Sequence, residues 1–232
     1  MLRELLSIFR ADNPLHAMAA RFKEMLQLTC GMTLSAGGIC FGEKTLAEDR
    51  TQIYQDDVRV NKLEREIRKQ VVAHLSIPGN TPDVPFSLLL MSLVKDVERL
   101  GDYAKNLAEV VDIRSAPLPK DGTVQELQEI RRGVEDSFQV AAEVFTSSNR
   151  ERAIELIHQG RDVAHRCDAL VRRISQSGYD ASTTTVLVLA TRYYKRIGGH
   201  LLNVLSSVVM PLHKVDYYDE DVLTSVPPIS HD

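Results

Sequence analysis

At 232 residues, with 44% hydrophobic and 26% charged side chains, the chain has the apolar content to fill one large core or two small ones, which excludes an extended disordered polymer. Its formal charge of −4 argues against a general electrostatic grip on nucleic acid or anionic lipid. Three cysteines, Cys30, Cys40 and Cys167, are too few and too widely spaced for a disulfide framework or a zinc knuckle, so they read as small core residues of a protein from a reducing cytoplasm.

The opening stretch, Met1 to Asn13, carries Arg3, Glu4, Arg10 and Asp12 and so lacks the apolar run of a signal peptide. Met25 to Gly42 has no charged residue, yet Gln27, Thr29, Thr33, Ser35 and four glycines make it too polar for a spanning helix of about 20 apolar residues. It reads as a packed helix in which Gly31, Ser35 and Gly38 allow close approach. Proline and glycine then punctuate the chain at Asn13-Pro14, at a loop from Ile77 to Pro85, at a second loop from Ala116 to Gly122, and at Pro211.

Between these breaks, apolar residues recur at intervals of three and four, the spacing of one helix face. Val60, Leu63, Ile67 and Val71 form one stripe; Leu93, Val97, Leu100, Ala104, Leu107 and Val111 form a second; Ile154, Ile157, Ala164, Cys167, Val171 and Ile174 form a third. The pattern predicts an all-α protein with six helices over 16–41, 44–76, 86–114, 123–147, 149–177 and 182–210. The corresponding organisation is a leader (1–14), a first three-helix bundle (15–116), a second (120–212) and an acidic tail (213–232), whose run from Asp216 to Asp221 is suited to a basic partner.

Three helices on each side of the midpoint suggest duplication, and the third and sixth helices align. Glu98-Arg99-Leu100-Gly101-Asp102 through Asn106 lies over Lys195-Arg196-Ile197-Gly198-Gly199 through Asn203 at a constant offset of 97, with Arg, Gly and Asn in register. On a helix, Glu98 and Asp102 sit at i and i+4, so both carboxylates leave one face and can share a cation. With Lys105 and Glu109 they fall about half a turn from the apolar stripe. That placement alone is also the mark of an ordinary solvated face.

The segment Lys95 to Glu109, KDVERLGDYAKNLAE, resembles the signature of the PhoU family, an E/D-x-x-x-D motif commonly set within E-R-I-G-D, and Asp56 to Ile67 is similar to that family's second helix. The resemblance implies two tandem three-helix bundles over nearly the whole chain. It also implies a cytoplasmic, non-enzymatic negative regulator of phosphate transport and phosphate-responsive signalling, a homodimer that contacts a membrane phosphate transporter or a sensor kinase. By the same resemblance Glu98 and Asp102 are candidate metal ligands, with iron or zinc as the metal. The second half departs from the pattern, because Lys195 and Gly199 stand where acids are expected.

A rival constellation lies in the fifth helix, where Glu155, His158, Asp162 and His165 share one face at i, i+3, i+7 and i+10. Glu-x-x-His is one ingredient of di-iron carboxylate bundles, but those ligands project inward and this stripe points away from Ile157, Cys167 and Val171. No G-x-S-x-G, phosphate-binding P-loop or dinucleotide glycine pattern occurs. The pairs Arg131-Arg132, Arg172-Arg173 and Lys195-Arg196 read as ordinary helix surface rather than a nucleic-acid contact. The alternatives to the regulator are a metal-dependent helical-bundle enzyme and a structural adaptor that binds no metal.

Overall fold

The computed structural model describes residues 14–44, 46–114 and 116–216; the leader before Pro14 and the acidic stretch after Asp216 lie outside the described residues. Six α-helices are present among them: α1 (Pro14–Cys40), α2 (Leu46–Leu75), α3 (Val84–Glu109), α4 (Gly122–Ser147), α5 (Arg150–Ser175) and α6 (Ala181–Val209). Their bounds follow from local chemistry. Asp121 caps α4 by accepting from the Thr123 and Val124 amides, Asn149 caps α5 through the Arg152 amide, and Asp180 caps α6 through the Thr183 amide. Ser148, at φ 52°, closes α4, so α4 and α5 are joined by a two-residue turn.

The segment expected as a loop from Ile77 to Pro85 is shorter than predicted. Thr81–Asp83 forms a 3₁₀ turn and α3 starts at Val84, because Pro82 and Pro85 both fall in first-turn positions where no amide hydrogen is needed. At the other end, α3 tightens into a 3₁₀ segment, Val110–Ile113.

Helices α1, α2 and α3 pack on one another, as do α4, α5 and α6, and the halves join along α3 against α6 and α1 against α4. The core is therefore continuous. Phe22, Met25, Leu93, Val97, Leu100, Phe138, Ile157, Leu187 and Ile197 are all fully buried in it. The uncharged stretch of α1 is a packed helix rather than a span: its Thr29 and Thr33 side chains, buried, return hydrogen bonds to the Met25 and Thr29 carbonyls. No helix among the described residues is long and apolar enough to cross a membrane.

The close approach in α1 occurs at Gly37, not at the three small residues the sequence suggested. Gly31 faces open space, Ser35 accepts from the Lys44 ammonium, and Gly38 lies under the Lys44 side chain. A Cβ on Gly37 would stand 2.3 Å from Glu135 Oε1, 2.6 Å from the Tyr194 hydroxyl and 2.9 Å from Arg131 Nε. Glu135 is buried and bonded to Arg131 at 2.9 Å and to the Tyr194 hydroxyl at 3.3 Å, while the Arg131 guanidinium lies 5.0 Å from the Phe41 ring centre. Burial pushes the Glu135 carboxyl up against the opposing pull of Arg131. Burial also works against the Arg131 charge, but Glu43 and Glu135 outweigh it and hold the guanidinium protonated.

Gly37→Ala should therefore lower stability by about 2–3 kcal/mol, since the new methyl group must displace a buried ion pair. Gly31→Ala, in open helix, should be neutral or stabilising by up to about 1 kcal/mol. Urea unfolding of the two variants checks the contrast, and equal midpoints would contradict it.

Candidate functional site

The α3 motif is fixed from below by Gly101. A Cβ there would meet Met32 Cε at 3.4 Å, Thr29 Cγ2 at 3.6 Å and Asp57 Oδ1 at 3.7 Å, so a longer side chain has no room between α3 and its neighbours α1 and α2. Gly198 faces α4 in the same manner, with Val134 Cγ2 at 3.7 Å from its Cβ position. The paired glycines explain why Arg-aliphatic-Gly recurs in both halves: it sets the approach to each half's first helix.

Around Gly101 the charged residues engage one another. Glu98 Oε2 accepts from Lys95 at 2.7 Å and lies 3.8 Å from Arg99 Nε. Asp102 pairs with Arg99 and with Lys105, both at 3.1 Å, and Lys105 also reaches Asp57 of α2 at 2.9 Å. Asn61 donates to the Asp57 carboxylate at 3.2 Å, while Asp57 Oδ1 is buried without a hydrogen-bond partner. The pair expected on the solvated surface is thus partly sheltered: the Glu98 side chain is 14% exposed and that of Asp102 29%. Neither lies in the apolar core.

This arrangement does not fit a multi-metal cluster. The Lys105 ammonium occupies the position of a cation bridging Asp57 and Asp102, and Lys95 and Arg99 already neutralise Glu98. Among the described residues no three His, Cys, Asp or Glu side chains converge as a ligand set.

In the second half the charge is reversed. Lys195 is bonded to both oxygens of Asp168 on α5, at 2.6 and 2.7 Å, and Arg192 lies 3.7 Å from the same carboxylate. The Lys195 hydrogen bond, ahead of the other nearby cations, holds the Asp168 carboxyl below the ordinary range. Asn203, retained from the motif, has a use across the seam: it and His200 each contact Asp96 of α3 at 2.8 Å, and the His200 ring stacks on Tyr103 with centroids 5.6 Å apart.

The α5 stripe does not gather into a ligand set, although His165 borders the depression that Lys195 lines. Glu155, His158, Asp162 and His165 are each exposed, and Glu155 is engaged by Arg152 and Gln159. Burial, with Glu135 adding to it, pushes the Cys30 thiol up to about 11, and burial pushes those of Cys40 and Cys167 up to about 12. Sequence reasoning missed Asp57 and Asp168 as partners of the motif. Asp57 lay within the segment similar to the family's second helix, whereas Asp168 had no signal because its partner is 27 residues away on another helix.

Two three-helix bundles joined through one core, with a charged motif on the third helix of each half, define a helical-bundle scaffold. Residues 15–111, the first three-helix half, match the PhoU domain profile. The chain is 23% identical over 167 residues to a Clostridium acetobutylicum protein named as a phosphate-specific transport system accessory protein PhoU homolog, covering 68% of this chain and 74% of that one. It is 27% identical over 208 residues to an uncharacterized protein of Deinococcus radiodurans, covering 84% and 87%. The fold matches the crystal structure of PhoU from Pseudomonas aeruginosa with a TM-score of 0.75 at 20% identity, over 84% of this chain and 95% of that one. For the phosphate transport system regulatory protein PhoU from Streptococcus pneumoniae the TM-score is 0.73 at 17% identity, over 83% and 92%.

Burial opposes the Lys105 charge, but its hydrogen bonds to Asp57 and Asp102 prevail and raise its pKa above the ordinary value. The stability this supplies is fully present below the unfolded-state value of about 10.4 and is lost as pH rises through the higher folded-state value. Lys105→Met, which strands the buried Asp57, should cost about 1–3 kcal/mol at neutral pH. In urea melts it should also show a shallower alkaline decline than the wild type. An unchanged midpoint at neutral pH would contradict this role for Lys105.

Proposed function

We propose that the protein is a regulator of phosphate transport and phosphate-responsive signalling that acts by protein contact and not by catalysis. The observation that carries this reading is the PhoU domain match over residues 15–111, together with a PhoU fold extending over both halves. The names of its relatives, a phosphate-specific transport system accessory protein and a phosphate transport system regulatory protein, support the same assignment. The partner is a membrane phosphate transporter or a sensor kinase, met from the cytoplasmic side by a homodimer. Long exposed helix faces supply the contact surface.

The charged motif supports a scaffold role. In the first half Glu98, Asp102 and Asp57 are balanced by Lys95, Arg99 and Lys105, and this internal neutralisation supplies what a bound metal would otherwise provide. The adaptor that binds no metal is accordingly favoured over the iron or zinc protein. The di-iron enzyme reading is disfavoured by the outward α5 stripe, since its chemistry needs ligands turned into the bundle.

Deletion of the gene should raise phosphate uptake and expression from phosphate-starvation promoters under phosphate-replete conditions, and the wild-type chain should restore both. Uptake and promoter activity identical to the parent would count against the regulator. Elemental analysis of purified protein should show equal, sub-stoichiometric iron and zinc in the wild type and in a Glu98→Ala, Asp102→Ala variant. Stoichiometric metal lost in that variant would restore the metal-binding reading.

A further inference from the structure

We propose that the outer surface of α6, where it adjoins α5, is a binding site for a phosphate-type oxyanion. Arg192, Lys195 and Arg196 fall at i, i+3 and i+4, so their side chains leave one face of α6 within reach of a common ligand. With Gly199, His200 and Asn203 they line a depression of about 330 Å³ that contains no carboxylate. A second depression, of about 200 Å³, shares Lys195 and Gly199 and adds Arg161 and His165 from α5. Asp168 is the one acid lining either depression. The first depression gathers three permanent cations, Arg192, Lys195 and Arg196; Asp168 pairs with Lys195 and lies near Arg192, and Asp96 contacts His200 and Asn203.

The local geometry supports an anion. Asp168 grips Lys195 through both oxygens, which fixes the ammonium and leaves a donor directed elsewhere. Arg196 is exposed and makes no ion pair among the described residues, and the Arg192 side chain, 44% exposed, stands 3.7 Å from Asp168. Two guanidinium forks and an ammonium on one helical turn present planar, paired donors matched to the oxygens of a tetrahedral oxyanion. Gly199 lines both depressions. In the aligned first half the same two positions are Glu98 and Asp102, whose charges Lys95, Arg99 and Lys105 balance, so Lys195 and Gly199 remove two carboxylates and add a cation. The sequence pair Lys195-Arg196, unremarkable as a dipeptide, gains its partners only when α5 and α6 are packed.

The shared chemistry is the phosphate oxyanion, whether free in solution or within a polyphosphate chain. The assignment rests on the regulatory reading above only for its choice of probe. Direct binding to purified protein is independent of any cellular phenotype, so the two readings can fail separately. Isothermal titration of the full-length wild-type chain with inorganic phosphate, and separately with a defined polyphosphate, should show saturable binding to one or both. The stronger probe identifies the source. Arg196→Ala, an exposed change that leaves the fold intact, should weaken binding about tenfold, the loss expected for one charge-assisted hydrogen bond. Lys195→Glu combined with Gly199→Asp, which restores the acidic pattern, should abolish it, while Glu98→Gln in the first half should leave it unchanged. A thermal melt confirms that each variant is folded. Failure of both probes to bind the wild type, or affinity retained in folded Arg196→Ala and in the acidic variant, would overturn the assignment.

Discussion

Arg131 and Glu135, an ion pair within α4, sit at the contact between the two halves, where Arg131 also reaches Glu43 and the Phe41 ring beyond the end of α1. The pair lies where α1, α4 and α6 meet, with the Gly37 backbone beneath it, the Tyr194 hydroxyl donating to it and the Phe41 ring against the guanidinium. A charged pair withdrawn from water is costly, and that cost is offset only if the geometry is kept and the remaining polar atoms are occupied. Moving α1 relative to α4 would break contact on several sides at once. Apolar burial along α3 and α6 holds the halves together, and the contacts of Arg131 with Glu43 and Phe41, over Gly37, add a polar constraint on their register.

With that register fixed, α3 and α6 run through the middle of the molecule and their motif residues fall where the packing leaves them. Gly101 and Gly198 turn toward the first helix of each half, which turns the charged positions four residues wide outward or toward the neighbouring second helix. In the first half this brings acids to a partly sheltered surface where Lys95, Arg99 and Lys105 neutralise them. In the second half it brings cations to a surface where Asp168 balances only part of their charge. One scaffold thus displays a charge-balanced face in the first half and a partly unbalanced basic one in the second. Asp96, reaching from α3 to His200 and Asn203, connects the two motifs across the seam.

The helices were legible in the sequence because their apolar spacing is a local property: the stripes at Val60 to Val71 and Leu93 to Leu107 lie in the core as their period requires. The acidic motif was legible as a motif, but its charge partners were not. Lys105 is on the same helix as Asp102 and could be placed near it, whereas Asp57 and Asp168 come from other helices and acquire their role through packing alone. The small residues of α1 show the same limit. Gly31, Ser35 and Gly38 have the spacing of a close contact, yet the contact is made by Gly37, because only the position of α4 and α6 decides which face of α1 they meet. Proline at 82 and 85 suggested a loop, and the structure instead uses both to start helices.

The central claim is that the six helices form one cooperative unit and not two independent bundles. Helices α2 and α5 make their main contacts within their own halves and are the natural reporters. Hydrogen exchange of the full-length chain across a urea series, read by mass spectrometry on peptides from α2 and α5, tests the claim most directly. The account predicts that both helices lose protection at the same urea concentration. Loss in one helix while the other remains fully protected would contradict it.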